Sequence, residues 1–219
     1  MRWTIRLALL MLVLHSAPAQ TQADVGQILK KVDETYRAAT EYEVVLDATG
    51  REEGKDVAMH ALLAFRAPSK YRTEGAFPGM EELIEVYDGV TLWIYSPKEN
   101  QYWSIPHDQI TPAPGNLGEG PEFLMSGIRS IASQAANGKL VREGNLVIGG
   151  SDTACYVIEV TLDGQPETLW VDKKRYVIVR TETADAKVTF TTVKLNQPLP
   201  DELFKFNPPP GATRAERPR

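Results

Sequence analysis

Histidine and cysteine are scarce in this chain, and their scarcity removes several chemistries at once. It has three histidines and one cysteine. Beyond the N-terminal run only His60 and His107 remain, the first in a strand-like stretch and the second in a Pro-rich loop. Neither has a second histidine or a cysteine at metal-ligand spacing, so no metal and no cofactor is expected. A single Cys155 excludes an internal disulfide. It lies in the apolar run TACYVIEV, where a buried and inert thiol is expected. A nucleophile elbow, a phosphate-cradling glycine loop and a metalloprotease signature are also absent. Glu81, Glu82, Glu85 and Asp88 form the densest group of carboxylates, and they read as a solvated strand and turn rather than a catalytic pair. The expectation is a protein that is not an enzyme. A basic excess is missing too: 24 Lys and Arg stand against 29 Asp and Glu. That balance argues against nucleic acid and against tight adhesion to anionic membranes.

Long apolar runs are lacking. The run from Leu7 to Leu14 is well short of the roughly 20 residues that cross a bilayer. Arg2 and Arg6 precede it and Ala17-Pro18-Ala19 follows, which is the layout of a secretory signal over residues 1–19. Cleavage after Ala19 removes two arginines and no acid, taking the net charge from −5 to −7. No cysteine follows the expected cut, so a free, soluble, exported protein without a lipid anchor is expected. Residues 20–210 are of a size for one domain. The Pro-rich and then polar stretch at 211–219 reads as a disordered tail.

What the chain does have is periodicity. Asp24 can cap a helix in which Val25, Ile28, Leu29, Val32 and Tyr36 fall on one stripe. From Tyr42 the period changes to two. Strands are predicted at 42–49, 57–66, 70–75, 83–88, 91–96 and 101–105, with turn chemistry such as Asp88-Gly89 and SPKEN between them. Residues 106–122 hold too much proline and glycine for a regular element. The stretch 123–138 places Phe123, Leu124, Ile128 and Ile131 at helical spacing, with Gly138 as a C-cap. Five more strands are predicted at 139–148, 154–162, 167–172, 176–183 and 186–195. Short strands joined by short turns favour an antiparallel meander, and a sheet this wide twists and curls. The expected fold is mainly β, a half-open antiparallel barrel whose concave side receives the helices.

Three stretches, in order, resemble one family. LAFRAPSKYR (63–72), YDGVTLWIYSPKENQYW (87–103) and VKLNQPLPDELFKFNPPPGA (193–212) are similar to the periplasmic lipoprotein carriers known as LolA and to the wider lipoprotein-sorting group. That group shares its fold with RseB-type regulators. The resemblance covers nearly all of the chain beyond the signal, although 106–153 departs from the best-known members. It implies an incomplete barrel of eleven strands with an α-helical lid over a hydrophobic cavity that holds acyl chains. It implies an inner-membrane ABC transporter that loads the carrier and an outer-membrane receptor that unloads it, in the periplasm. By the match of FRAP, Arg66 is the candidate for holding the lid shut. The alternative implied by the same resemblance is an RseB-like sensor of lipid or lipoprotein that regulates a signalling partner. That type carries a further C-terminal domain, so the carrier reading comes first. A monomer is the default.

The strand at 91–96 poses its own question. Leu92 and Ile94 share one face, Trp93 and Tyr95 the other, and all four are apolar or aromatic. One face should pack as core and the other should lie at the cavity. The cavity set is drawn from Leu92, Trp93, Ile94, Tyr95, Trp103, Ile128 and Ile131, with the aliphatic pair Leu92 and Ile94 favoured because aliphatics adapt to acyl chains.

Overall fold

The computed structural model describes residues 24–52, 54–76, 81–110, 138–162 and 164–216. The signal at 1–19 and the second helix read at 123–138, apart from Gly138, lie outside the described residues.

Helix α1 spans Val25–Arg37. Asp24 caps it, its Oδ1 accepting the N–H of Gly26 at 2.9 Å. Its apolar stripe is the predicted one: Ile28, Leu29, Val32 and Tyr36 are buried. Burying a large aliphatic side chain of this kind contributes about 1.5–3 kcal/mol.

The strands are β1 (Glu41–Glu52), β2 (Lys55–Arg66), β3 (Lys70–Gly75), β4 (Leu83–Tyr87), β5 (Thr91–Ser96) and β6 (Gln101–Pro106), followed by β7 (Lys139–Ile148), β8 (Ser151–Leu162), β9 (Gln165–Asp172), β10 (Ile178–Glu182), β11 (Ala186–Leu195) and β12 (Thr213–Arg214). They form one sheet in the order β12-β6-β5-β4-β3-β2-β1-β11-β10-β9-β8-β7. Two meanders thus meet where β11 returns to pair with β1, Val44 opposite Val193. The β7 end curls back against β11 without pairing with it, so the sheet stays open. All eleven predicted strands are present, and the half-open antiparallel architecture is as expected.

β12 was not expected. It falls in the stretch read as a disordered tail, yet residues 211–216 are placed. The N–H of Thr213 donates to the carbonyl of Asn100 at 3.1 Å and that of Ala215 to Tyr102 at 2.8 Å. Backbone pairing to the β6 edge holds this end, so no apolar pattern was there to be read.

Alternation assigns the two faces of the sheet. On the inner face, α1 packs against Tyr42, Val44, Leu46 and Leu63 and against Ile158, Leu169, Val171 and Ile178 of the second meander. Tyr36 is tied to β10, its hydroxyl accepting the Ile178 N–H at 3.1 Å. The outer face of the first meander is crossed by a strap, residues 196–212, that runs from the end of β11 to the edge of β6.

Candidate functional site

The inner face continues beyond α1. Register carries it across the first meander in rows: Leu63, Thr73, Glu85, Ile94 and Trp103 stand side by side, and so do Phe65, Tyr71, Tyr87, Leu92 and Ile105. Tyr71, Tyr87, Leu92, Ile94 and Ile105 are buried in a cluster separate from the α1 core. Phe65, Leu83, Trp103 and Ile110 pack at its margin. Among the described residues, no helix covers this half of the sheet. Tyr71 and Tyr87 lie 5.5 Å apart between ring centroids. Tyr87 Oη and His107 Nδ1 share a hydrogen bond of 2.5 Å, with the two rings stacked. The result is an apolar surface edged by phenols on the same side of the sheet as α1.

The structure divides the sequence-predicted residues. Leu92, Ile94 and Trp103 come together on this inner face. Trp93 and Tyr95 do not join them: they point to the outer face, where Phe206 of the strap stacks on Trp93 at 5.4 Å and also lies against Tyr95 and Tyr102. The Trp93 indole N–H reaches Asp88 Oδ2 at 3.4 Å, and the Tyr95 hydroxyl donates to Asn100 Oδ1 at 3.0 Å. Asp88 also accepts the N–H groups of Val90 and Thr91 at 2.8 Å, and Gly89 supplies the positive φ of 99° that this tight turn needs. Ile128 and Ile131 lie outside the described residues.

Arg66 is also on the outer face, because Phe65 beside it points inward. Its Nε donates to Glu41 Oε1 at 2.7 Å, and its other nitrogens donate to the Leu199 carbonyl and the Asp201 carboxylate. The Leu199 N–H donates to the same Glu41 oxygen at 3.1 Å, and the guanidinium lies 4.8 Å over the Phe204 ring. Arg66 holds the Asp201 carboxyl below the usual carboxylate range. Every described polar partner of Arg66 belongs to β1 or the strap. A latch at this position fastens the strap, whereas α1 is on the other side of the sheet.

Glu85 is the residue that sequence reading misplaced. It was grouped with solvated acids, yet it is 9% exposed, in the row between Thr73 and Ile94. The signal was its alternation with Leu83 and Tyr87, which puts it on the apolar face. Burial holds its carboxyl above the usual range, opposed by the Thr73 hydroxyl. Cys155 is buried as expected, and burial pushes its thiol up to about 11.

Clefts bounded by described residues lie away from the β3–β6 inner-face cluster. One of about 660 Å³ sits among the turns 49–58 and 182–187. One of about 450 Å³ lies between the strap and Arg72, Glu74, Ile84 and Tyr95. Among the described residues no cluster of His, Cys, Asp or Glu could hold a metal ion. No described helix is long and apolar enough to cross a membrane.

No family model matches this chain. An uncharacterized protein of Methanocaldococcus jannaschii is 27% identical over 194 residues, which cover 87% of this chain and 53% of that protein. An outer-membrane lipoprotein carrier protein of Vibrio parahaemolyticus is 29% identical over 150 residues, covering 66% of this chain and 63% of its own. Among solved structures, LprF of Mycobacterium bovis aligns at a TM-score of 0.49 and 15% identity over 80% of this chain and 95% of its own. The chain spans about half to under two thirds of the length of the curated relatives it matches.

Proposed function

We propose that this protein binds the acyl chains of a lipoprotein or another lipid on the inner face of β3–β6 and carries them through the periplasm. The observation that carries the reading is the second apolar cluster. A strand facing water alternates apolar with polar, but here the inward residues of β4–β6 are mostly aliphatic or aromatic on a half of the sheet that α1 does not reach. An apolar face of that kind calls for an apolar occupant. The similarity to an outer-membrane lipoprotein carrier supports a lipid as that occupant.

The energetics suit carriage. Each buried CH₂ contributes about 0.8 kcal/mol, so an acyl chain crosses water only under cover. Loading by an inner-membrane ABC transporter and delivery to an outer-membrane receptor belong to the same proposal, as does a role without catalysis.

The test is native mass spectrometry of the protein purified from cells that export it, followed by titration with a fluorescent acyl probe. Bound acyl species, displaced by the probe, are expected. Ile94→Asn should weaken probe binding at least tenfold, while Val147→Asn, at an exposed position, should leave it unchanged. An empty protein whose probe binding ignores Ile94 would end this reading. A sensor of the same cargo would retain its lipid when offered acceptor vesicles, whereas a carrier would hand it over.

A further inference from the structure

On the inner face, Glu85 is an acidic group that acyl chains do not need. We infer that Glu85 is a binding site for a cationic hydrogen-bond donor, an ammonium group attached to the cargo close to its acyl chains. The inference rests on the acyl-binding reading of this face and deepens it.

The argument starts from what surrounds the carboxyl. Glu85 lies between Thr73 on β3 and Ile94 on β5, with Leu63 and Trp103 further along the row. It is 9% exposed. Its hydrogen bond is with the Thr73 hydroxyl, which donates to Oε2 at the long distance of 3.4 Å. Burying a carboxyl among apolar groups with one weak donor is unfavourable, and such groups are ordinarily paired. The sequence offered pairs and the register withheld them. Arg66, Lys70 and Arg72 flank this region on β2 and β3, but alternation turns all three to the outer face. There Arg72 pairs with Glu74, and Arg66 with Glu41 and Asp201. Among the described residues, the titratable groups on the inner face near Glu85 are the phenols of Tyr71 and Tyr87, with His107 bonded to Tyr87. None of these supplies a fixed positive charge.

A carboxyl with no cation beside it among the described residues, on a face built for apolar matter, is placed to receive one from the ligand. An ammonium group offers three donors and a full charge, which is what the two carboxylate oxygens lack here. The tails of the same ligand would lie along Leu92, Ile94 and Ile105.

Dodecylamine and dodecanol share one chain and differ only in the head group, and calorimetric titration of the full chain with each at neutral pH tests the site. Dodecylammonium should bind about tenfold to a hundredfold more tightly than dodecanol. Glu85→Gln, checked for folding by circular dichroism, should retain dodecanol binding and lose the preference. Equal affinities in the unaltered protein, or a preference that survives in Glu85→Gln, would overturn the ammonium site and leave acyl binding standing. Failure of both ligands to bind would sink the acyl reading together with the inference.

Discussion

Trp93 and Phe206 lie face to face, ring centroids 5.4 Å apart and planes 15° from parallel. This stack accounts for the aromatic half of β5: the outer face is closed by the protein's own strap, and Leu92 and Ile94 are left to the inner one. Phe206 also lies 5.4 Å from Tyr102, so one ring seals three strand residues. Phe206→Ala should cost about 2 kcal/mol, less than for a fully buried ring because Phe206 is half-buried. Urea unfolding followed by tryptophan fluorescence checks it, and the emission of the folded variant should shift to the red as Trp93 meets water.

Arg66 is the second fastening of the strap. Its planar fork serves Glu41, the Leu199 carbonyl and Asp201 together, and an ammonium cannot reproduce that geometry. Arg66→Lys should therefore behave more like Arg66→Ala, which we expect to cost about 2 kcal/mol, than like the unaltered protein. Hydrogen exchange separates this from a general loss of stability. The Thr213 and Ala215 amides, which bond to Asn100 and Tyr102, should lose protection first, while amides of β8 and β9 keep theirs.

The sheet was legible in the sequence because its signals are local. Asp88-Gly89 and the two-residue period of β4 and β5 each lie within a few residues of what they specify. The division of labour between Leu92 with Ile94 and Trp93 with Tyr95 was not legible. It depends on Phe206, which meets Trp93 only once β11 has returned to β1 and the strap has crossed the sheet. Arg66 was read as a latch from its motif, but its face follows from Phe65 pointing inward and its partners from the distant Leu199 and Asp201. Glu85 was obscured by composition: its acidic neighbours Glu81 and Glu82 are exposed, and strand alternation alone distinguishes it from them.

Glu85 makes stability depend on pH in a direction opposite to that of a salt-bridged acid. Burial raises its carboxyl pKa in the folded state, with the Thr73 hydroxyl opposing. Between the ordinary carboxyl range and that raised value, the folded state holds a proton that the unfolded state has released. Stability therefore falls as pH rises through this window and levels off above it. Glu85→Gln removes the dependence. The variant should match the unaltered protein near pH 4 and exceed it in melting temperature at pH 7. Equal melting temperatures at both pH values would show that the carboxyl is not desolvated.

Tyr36 fixes α1 to the second meander, and its hydroxyl accepts the buried Ile178 N–H at 3.1 Å. In Tyr36→Phe the ring still fills its place, but a buried backbone donor is left without a partner. Leaving such a group unpaired costs about 1–3 kcal/mol. Burial also raises the Tyr36 hydroxyl far above the usual phenol range, so in strong alkali the unfolded state gives up a proton that the folded state keeps. Stability should fall above about pH 10, the ordinary phenol value. Tyr36→Phe should start lower at pH 7 and lose less on going to pH 11, since Tyr71 and Tyr87, which are also raised, remain to titrate. A variant with unchanged stability at pH 7 would mean that water or another acceptor serves the Ile178 amide, and that apolar packing alone seats the helix.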